Sequence, residues 1–247
     1  MNLKNKFAIV TGSSTGIGRA ISIALGKEGA FIALVARTKD RLQETKNLIE
    51  KAGGEAEIYP TDLSLIESVN QLIEKIKKTT KNVDVLVNVA GIWHGRNEVY
   101  AGCNLENFAQ KVILDTFMVG AIAPTLLVHA FVPFMKKGSR IINISGTFEN
   151  GGKGWLPYYV SKRAIEDLTI GLSQELEREN IYVNAVSPSD TATEAYKKYF
   201  PEYIKDAISP NEIAKFIIHL CLKETDGVTG KVFILKKNQK PFESFHY

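Results

Sequence analysis

Short apolar runs alternate with longer amphipathic stretches along the whole chain. Residues 6–11 (KFAIVT) are apolar and run into a glycine-rich loop. Residues 18–28 then place Ile21, Ala24 and Leu25 at helical spacing. A second apolar run, 31–36 (FIALVA), precedes a helical pattern over 40–52 that stops at Gly53-Gly54. The alternation continues with a strand predicted over 55–60, a helix over 64–78 and a strand over 83–88. Ser64 and Glu67 have the spacing of a capping box at that helix start. A variable stretch, 91–103, leads into one long helix predicted over 105–135 and bent near Pro124. Strand 140–145, helix 157–179, strand 181–187, helix 211–222 and strand 228–235 complete the pattern. No repeat, linker or low-complexity tract interrupts it.

Strands that alternate with helices build a parallel sheet covered by helices on both faces. Continuous apolar strands fit that burial. The prediction is a single α/β domain over residues 1–247, with about seven strands in a doubly wound sheet. Ligands bind such sheets beyond the carboxyl ends of the strands, near the switch in strand order. Every chemistry-bearing motif described below lies at such an end.

Composition narrows the classes. A chain of 247 residues with 45% hydrophobic and 23% charged residues suits one globular domain. The net charge of +4 is small and the basic residues are scattered, so no nucleic-acid partner is expected. The densest basic run, Lys236, Lys237 and Lys240, reads as a solvated end segment. Cys103 and Cys221 lack metal-ligand spacing and read as free thiols, so no metal is expected. The longest apolar stretch, 112–135, carries Asp115, Pro124, His129 and Pro133, which argues against a membrane span. With the first strand starting almost at once and no signal sequence before it, a cytoplasmic location is expected.

Two motifs carry the chemistry. Residues 11–18 (TGSSTGIG) follow the first strand and open the first helix. Gly12 permits a tight turn, and Gly16 and Gly18 let a pyrophosphate approach backbone amides at a helix N-terminus. Ser14, Thr15 and Ile17 belong to the same cradle. Arg37, just past the second strand, stands where a carboxylate would hold ribose hydroxyls and repel a 2′-phosphate; a guanidinium attracts that phosphate. NADP(H) is therefore expected over NAD(H). Tyr158 and Lys162 are four residues apart and share one helix face. A neighbouring ammonium favours a phenolate and lowers a Tyr pKa from about 10 toward neutrality. Tyr159 and Arg163 repeat the spacing and read as a surface or interface pair. With nine tyrosines in the chain such pairs arise by chance, so position after the fifth strand gives the motif its weight.

The Gly-x-x-x-Gly-x-Gly loop and the Tyr-x-x-x-Lys pair resemble the short-chain dehydrogenase/reductase family over essentially the whole chain. The resemblance implies a Rossmann fold and a reversible carbonyl–alcohol oxidoreductase. It assigns Asp62 and Leu63 to the adenine, and Asn88, Ala90 and Gly91 to the cofactor wall. It gives Pro188, Thr191 and Thr193 to the nicotinamide end, and residues 190–208 to a substrate lid. Ser145, thirteen residues before Tyr158, matches the family serine that donates to the developing oxyanion. Aligned on the strand end instead, Gly146 takes that place and Thr147 could substitute. Trp93, His94 and Trp155 are expected near the pocket. Phe117 aligns with a family asparagine of a proton relay, and Val89 and Ser189 also depart from the pattern. The expected function is NADPH-dependent reduction of a ketone or aldehyde by a homodimer or homotetramer. The alternative is a degenerate member that binds nucleotide with little catalysis.

Overall fold

The computed structural model describes residues 3–247. One eight-stranded sheet has the order β3-β2-β1-β4-β5-β6-β7-β8. The strands are β1 (Phe7–Thr11), β2 (Phe31–Ala36), β3 (Glu55–Pro60), β4 (Val85–Asn88), β5 (Arg140–Ile144), β6 (Tyr182–Pro188), β7 (Lys231–Leu235) and β8 (Phe242–Glu243). All pairings are parallel except β7 with β8. The order reverses between β1 and β4, which opens a crevice at their carboxyl ends. The two-residue edge strand β8 was not predicted; only two pairs hold it, too short a run to show an alternation.

Helices α1 (Gly16–Lys27), α2 (Lys39–Lys51) and α8 (Pro210–Cys221) cover one face. Their buried residues Ile21, Leu25, Leu42, Ile49, Ile213 and Ile217 pack with Val10, Leu34 and Val87. The opposite face is covered by α3 (Ile66–Thr79), a long composite helix and α6 (Leu156–Glu175). There Val69, Leu72, Ile76, Leu127 and Phe131 pack with Ile9, Leu86 and Ile141. Full burial of one such aliphatic side chain stabilises by about 1.5–3 kcal/mol, which fixes both layers.

Two predicted elements differ, and further short helices were not predicted. The helix expected over 105–135 starts later, as α4 (Gln110–Phe117), passes through a π-helical turn at Met118–Ile122, and continues as α5 (Ala123–Phe131). Its irregularity sits before Pro124, because the proline ring leaves no room for the regular ladder one turn back. By length and composition 110–134 could cross a membrane, but its apolar stripe packs on the sheet. The capping box is absent: α3 starts at Ile66, and Ser64 instead donates its amide (3.0 Å) and hydroxyl (2.7 Å) to Asp62 Oδ1. Between β6 and α8 lie α7 (Glu194–Tyr199) and a 3₁₀ turn, Pro201–Asp206. Cys103 and Cys221 are free thiols.

Candidate active site

A cleft of about 1090 Å³ runs across the carboxyl ends of β1, β2 and β4 to β6. At the switch point, Thr11 Oγ1 accepts the amides of Val89 (2.9 Å) and Ala90 (3.2 Å), tying the ends of β1 and β4 together. Sequence reasoning missed Thr11; its signal was a hydroxyl at a strand end next to the glycine turn. The N-cap of α1 is Thr15, whose side chain caps no amide. The free N–H groups and the helix dipole therefore face the cleft, an anion site. Gly18 is forced by contact: a Cβ there would lie 2.3 Å from Gly12 O. Gly16 has φ +54°, and a Cβ on it would meet Thr193 Cγ2 at 2.9 Å, so the residue expected at the nicotinamide end packs across the loop. Arg19 braces the turn by donating to Ser14 O (2.6 and 3.0 Å). Such a cradle, wide enough only without side chains, fits a dinucleotide pyrophosphate.

Arg37 is exposed and lines the cleft beside Arg41. Arg41 was missed, although it stands one helical turn beyond Arg37. Its Nη1 is 3.7 Å from Glu194 Oε2 at the start of α7. Asp62 and Leu63 line the same end, Asp62 fixed by its turn to Ser64.

Of the expected cofactor residues, only Asn88 does not line the cleft. Its Nδ2 donates to Asn143 Oδ1 (2.9 Å), and Asn143 Nδ2 donates to Thr169 Oγ1 (2.9 Å). Asn88 is 3% exposed, so it forms a buried polar rung joining β4, β5 and α6 behind the wall. A strand-end asparagine can face either side, and the sequence does not distinguish them.

Tyr158 and Lys162 reach the cleft from the first turns of α6, whose N-terminal turn carries Pro157. Lys162 Nζ lies 5.4 Å from the Tyr158 ring centroid. It donates to Ile144 O at 2.7 Å, and Gly91 leaves the room above it: a Cβ there would be 3.2 Å away. The Tyr158 hydroxyl has no hydrogen-bond partner among the described residues. Burial raises the Tyr158 pKa above its ordinary value. Burial is the cause that acts on Tyr158, so the lowering expected from Lys162 does not appear. Burial also lowers Lys162 to about 8, against an opposing pull from Glu166.

Ser145 is 2% exposed. Its hydroxyl lies 2.5 Å from Glu166 Oε1 and 3.1 Å from Lys162 O, so its one proton is committed to the carboxylate. Thr147 is half-buried in the cleft, and its hydroxyl has no partner among the described residues. Arg163, expected with Tyr159 as a surface or interface pair, is largely buried within the chain: it pairs with Glu166 (3.1 Å) and donates to Tyr247 O (2.5 Å). Phe117 lines no part of the cleft. The helix position that meets α6 beside Lys162 is Gly120, where a Cβ would be 2.8 Å from Ser161 Oγ. The π-turn rotates this position inward, a shift no regular periodicity foretells.

Aromatic rings close the other end. Trp93 stacks with Phe200 (6.2 Å), and Trp155 lies 6.5 Å from Trp93 and 6.0 Å from Phe200. Trp155 and Phe148 reach the Tyr158 ring at 6.4 and 5.9 Å. His94 Nδ1 is 2.7 Å from Gly95 O and stands at the rim.

A dinucleotide cradle that shares one cleft with a phenol and an amine defines a nucleotide-dependent oxidoreductase. The short chain dehydrogenase model matches residues 6–203. The chain belongs to that family, whose members act on CH–OH and C=O groups with NAD(P). It is 32% identical over 230 residues to a fatty acyl-CoA reductase of Acinetobacter baylyi, covering 90% of this chain and 75% of that one. It is 27% identical over 248 residues to the 3-oxoacyl-[acyl-carrier-protein] reductase FabG of Aquifex aeolicus, covering 94% and 96%. Among solved structures, the angucycline C-6 ketoreductase LanV with bound NADP superposes with a TM-score of 0.84 at 29% identity, over 94% of this chain and 95% of that one.

Proposed function

We propose that the protein reduces a ketone or aldehyde with NADPH. The observation that carries this reading is the unpartnered Tyr158 hydroxyl in the cleft that also holds the glycine cradle and Arg37. The nicotinamide cofactor, when bound, supplies the hydride. Gly12 to Gly18 hold the pyrophosphate, with Asp62, Leu63, Ala90 and Gly91 along the adenosine side. Pro188, Thr191 and Thr193 border the nicotinamide. Arg37 and Arg41 attract a 2′-phosphate, which favours NADP(H) over NAD(H); the NADP bound to LanV supports that choice. Tyr158, positioned in the cleft with its hydroxyl free, gives its proton to the carbonyl oxygen. Lys162 orients the ribose. Thr147 holds the oxygen as charge develops, since the Ser145 hydroxyl is spent on Glu166.

Residues 190–208, with α7, form the lid. The exposed Leu114, Ile122, Leu156 and Val160 on the long helix and α6 support assembly as a homodimer or homotetramer. A cytoplasmic site, with no nucleic-acid or membrane partner, completes the reading. A carbonyl panel followed by NADPH absorbance tests it. Turnover with NADPH exceeding that with NADH is expected; no turnover on any carbonyl, or a preference for NADH, would refute it.

A further inference from the structure

Both tryptophans of the chain, Trp93 and Trp155, stand in the cleft beside Phe148, Phe200 and Tyr158. Trp93, Phe148, Trp155 and Phe200 come from three separate segments: the loop after β4, the loop after β5 and the lid. None of these rings is fully buried. The centroid spacings of 5.9 to 6.5 Å mean the rings touch one another, so they make a continuous wall and not an open clamp. Large aromatic surface left in a concave site marks ligand contact. The wall ends on the Tyr158 ring, so a group lying on it has its neighbouring atoms at the phenol.

Charge separates this end from the cofactor end. Arg37 and Arg41 lie at the far, adenosine side. Among the described residues lining the cleft, the remaining cations are the exposed Lys153 and the buried Lys162, which gives one of its three N–H groups to Ile144 O. Apart from Lys162 at the Tyr158 ring, no buried cation among the described residues lining the cleft stands by the wall to anchor a carboxylate or phosphate. An anionic group is therefore disfavoured where the occupant meets the rings.

We infer that the substrate is a ketone or aldehyde carrying an aromatic ring, which lies against the Trp93–Trp155–Phe200 wall while its carbonyl meets Tyr158. This rests on the carbonyl-reduction reading above. Aromatic pairs gain from offset or edge-to-face geometry beyond the area they bury. A saturated ring of equal size buries more apolar surface but has no π-face, so area alone favours the saturated ring. The two effects have opposite signs, which makes the inference testable.

The probes are 4-phenyl-2-butanone and 4-cyclohexyl-2-butanone, whose carbonyls are insulated from the ring and equal in reactivity. With NADPH the intact protein should show kcat/KM for the phenyl ketone roughly 3- to 10-fold above the cyclohexyl one, the scale of one aromatic pair. In Trp155→Leu that ratio should fall to about 1 or below, with a thermal melt confirming the fold. Binding is read separately, without reductant, through the fluorescence of the two tryptophans. The phenyl ketone should quench it saturably and at lower concentration than the cyclohexyl ketone. Equal or reversed preference in both readouts overturns the inference. Discriminating quenching without turnover of either ketone keeps the aromatic wall and rejects the carbonyl-reduction reading instead.

Discussion

At the glycine loop the fold works through backbone, and at the aromatic end it works through side chains. The cradle is defined by what is missing: a Cβ on Gly18 would strike the Gly12 carbonyl at 2.3 Å, and the amides of α1 are left free. The aromatic end is defined by what is added, with Trp93, Phe148, Trp155 and Phe200 converging from loops far apart in sequence. Backbone geometry imposes a residue type at each position, whereas a wall of rings can be built from many residues. One half is thus suited to a fixed ligand and the other to a variable one.

The sharpest way to break this comparison lies where the halves meet. Tyr158→Phe should lower kcat by roughly 10²- to 10⁴-fold, the scale of a positioned acid, while a fluorescence titration shows NADPH affinity within a few-fold of the original. Next in size, Thr147→Ala should cost about 10²- to 10³-fold in kcat, as loss of an oxyanion donor does. Ser145→Ala should act on stability instead, lowering it by about 1–3 kcal/mol in denaturant unfolding, because buried Glu166 loses a donor. A reversed pattern would return the oxyanion role to Ser145.

In the backbone half, Arg37→Ala should reduce the NADP(H) over NAD(H) preference in kcat/KM by about 10-fold or more, as one charge-assisted hydrogen bond is worth about 1.5–3 kcal/mol. The smallest effect concerns pH. Lys162 is held at about 8, below its ordinary 10.5, so its buried ammonium costs stability below pH 8. The cost disappears as pH rises from about 8 toward 10.5, where the unfolded chain still binds the proton. Lys162→Met should therefore melt higher than the original at pH 7, with the gap narrowing by pH 10.

The same contrast explains what was legible in the sequence. The sheet, its switch point and the cradle followed from apolar runs and three glycines, since burial and close approach dictate those residues. Tyr158 and Lys162 share a helix face by spacing, but their place after the fifth strand, at the strand-end cleft, is what singled them out. Asn88 lies behind the wall because it shares the face of β4 that carries Leu86, where Asn143, 55 residues away, accepts from its amide. Ser145 matched a spacing, yet its hydroxyl direction depends on Glu166, which the spacing does not contain. Phe117 lies outside the cleft, and Gly120, on the π-turn, abuts Ser161 of α6. Arg163 looked like a surface or interface residue until Glu166 and Tyr247 enclosed it.

The central claim is that the phenol faces the reactive end of a dinucleotide seated on the glycine loop. A crystal structure with NADP bound tests it most directly. The account predicts pyrophosphate on the amides of residues 12–18 and the nicotinamide ring beside the Tyr158 hydroxyl. A nucleotide bound elsewhere, or a Tyr158 hydroxyl turned away from that ring, would contradict it.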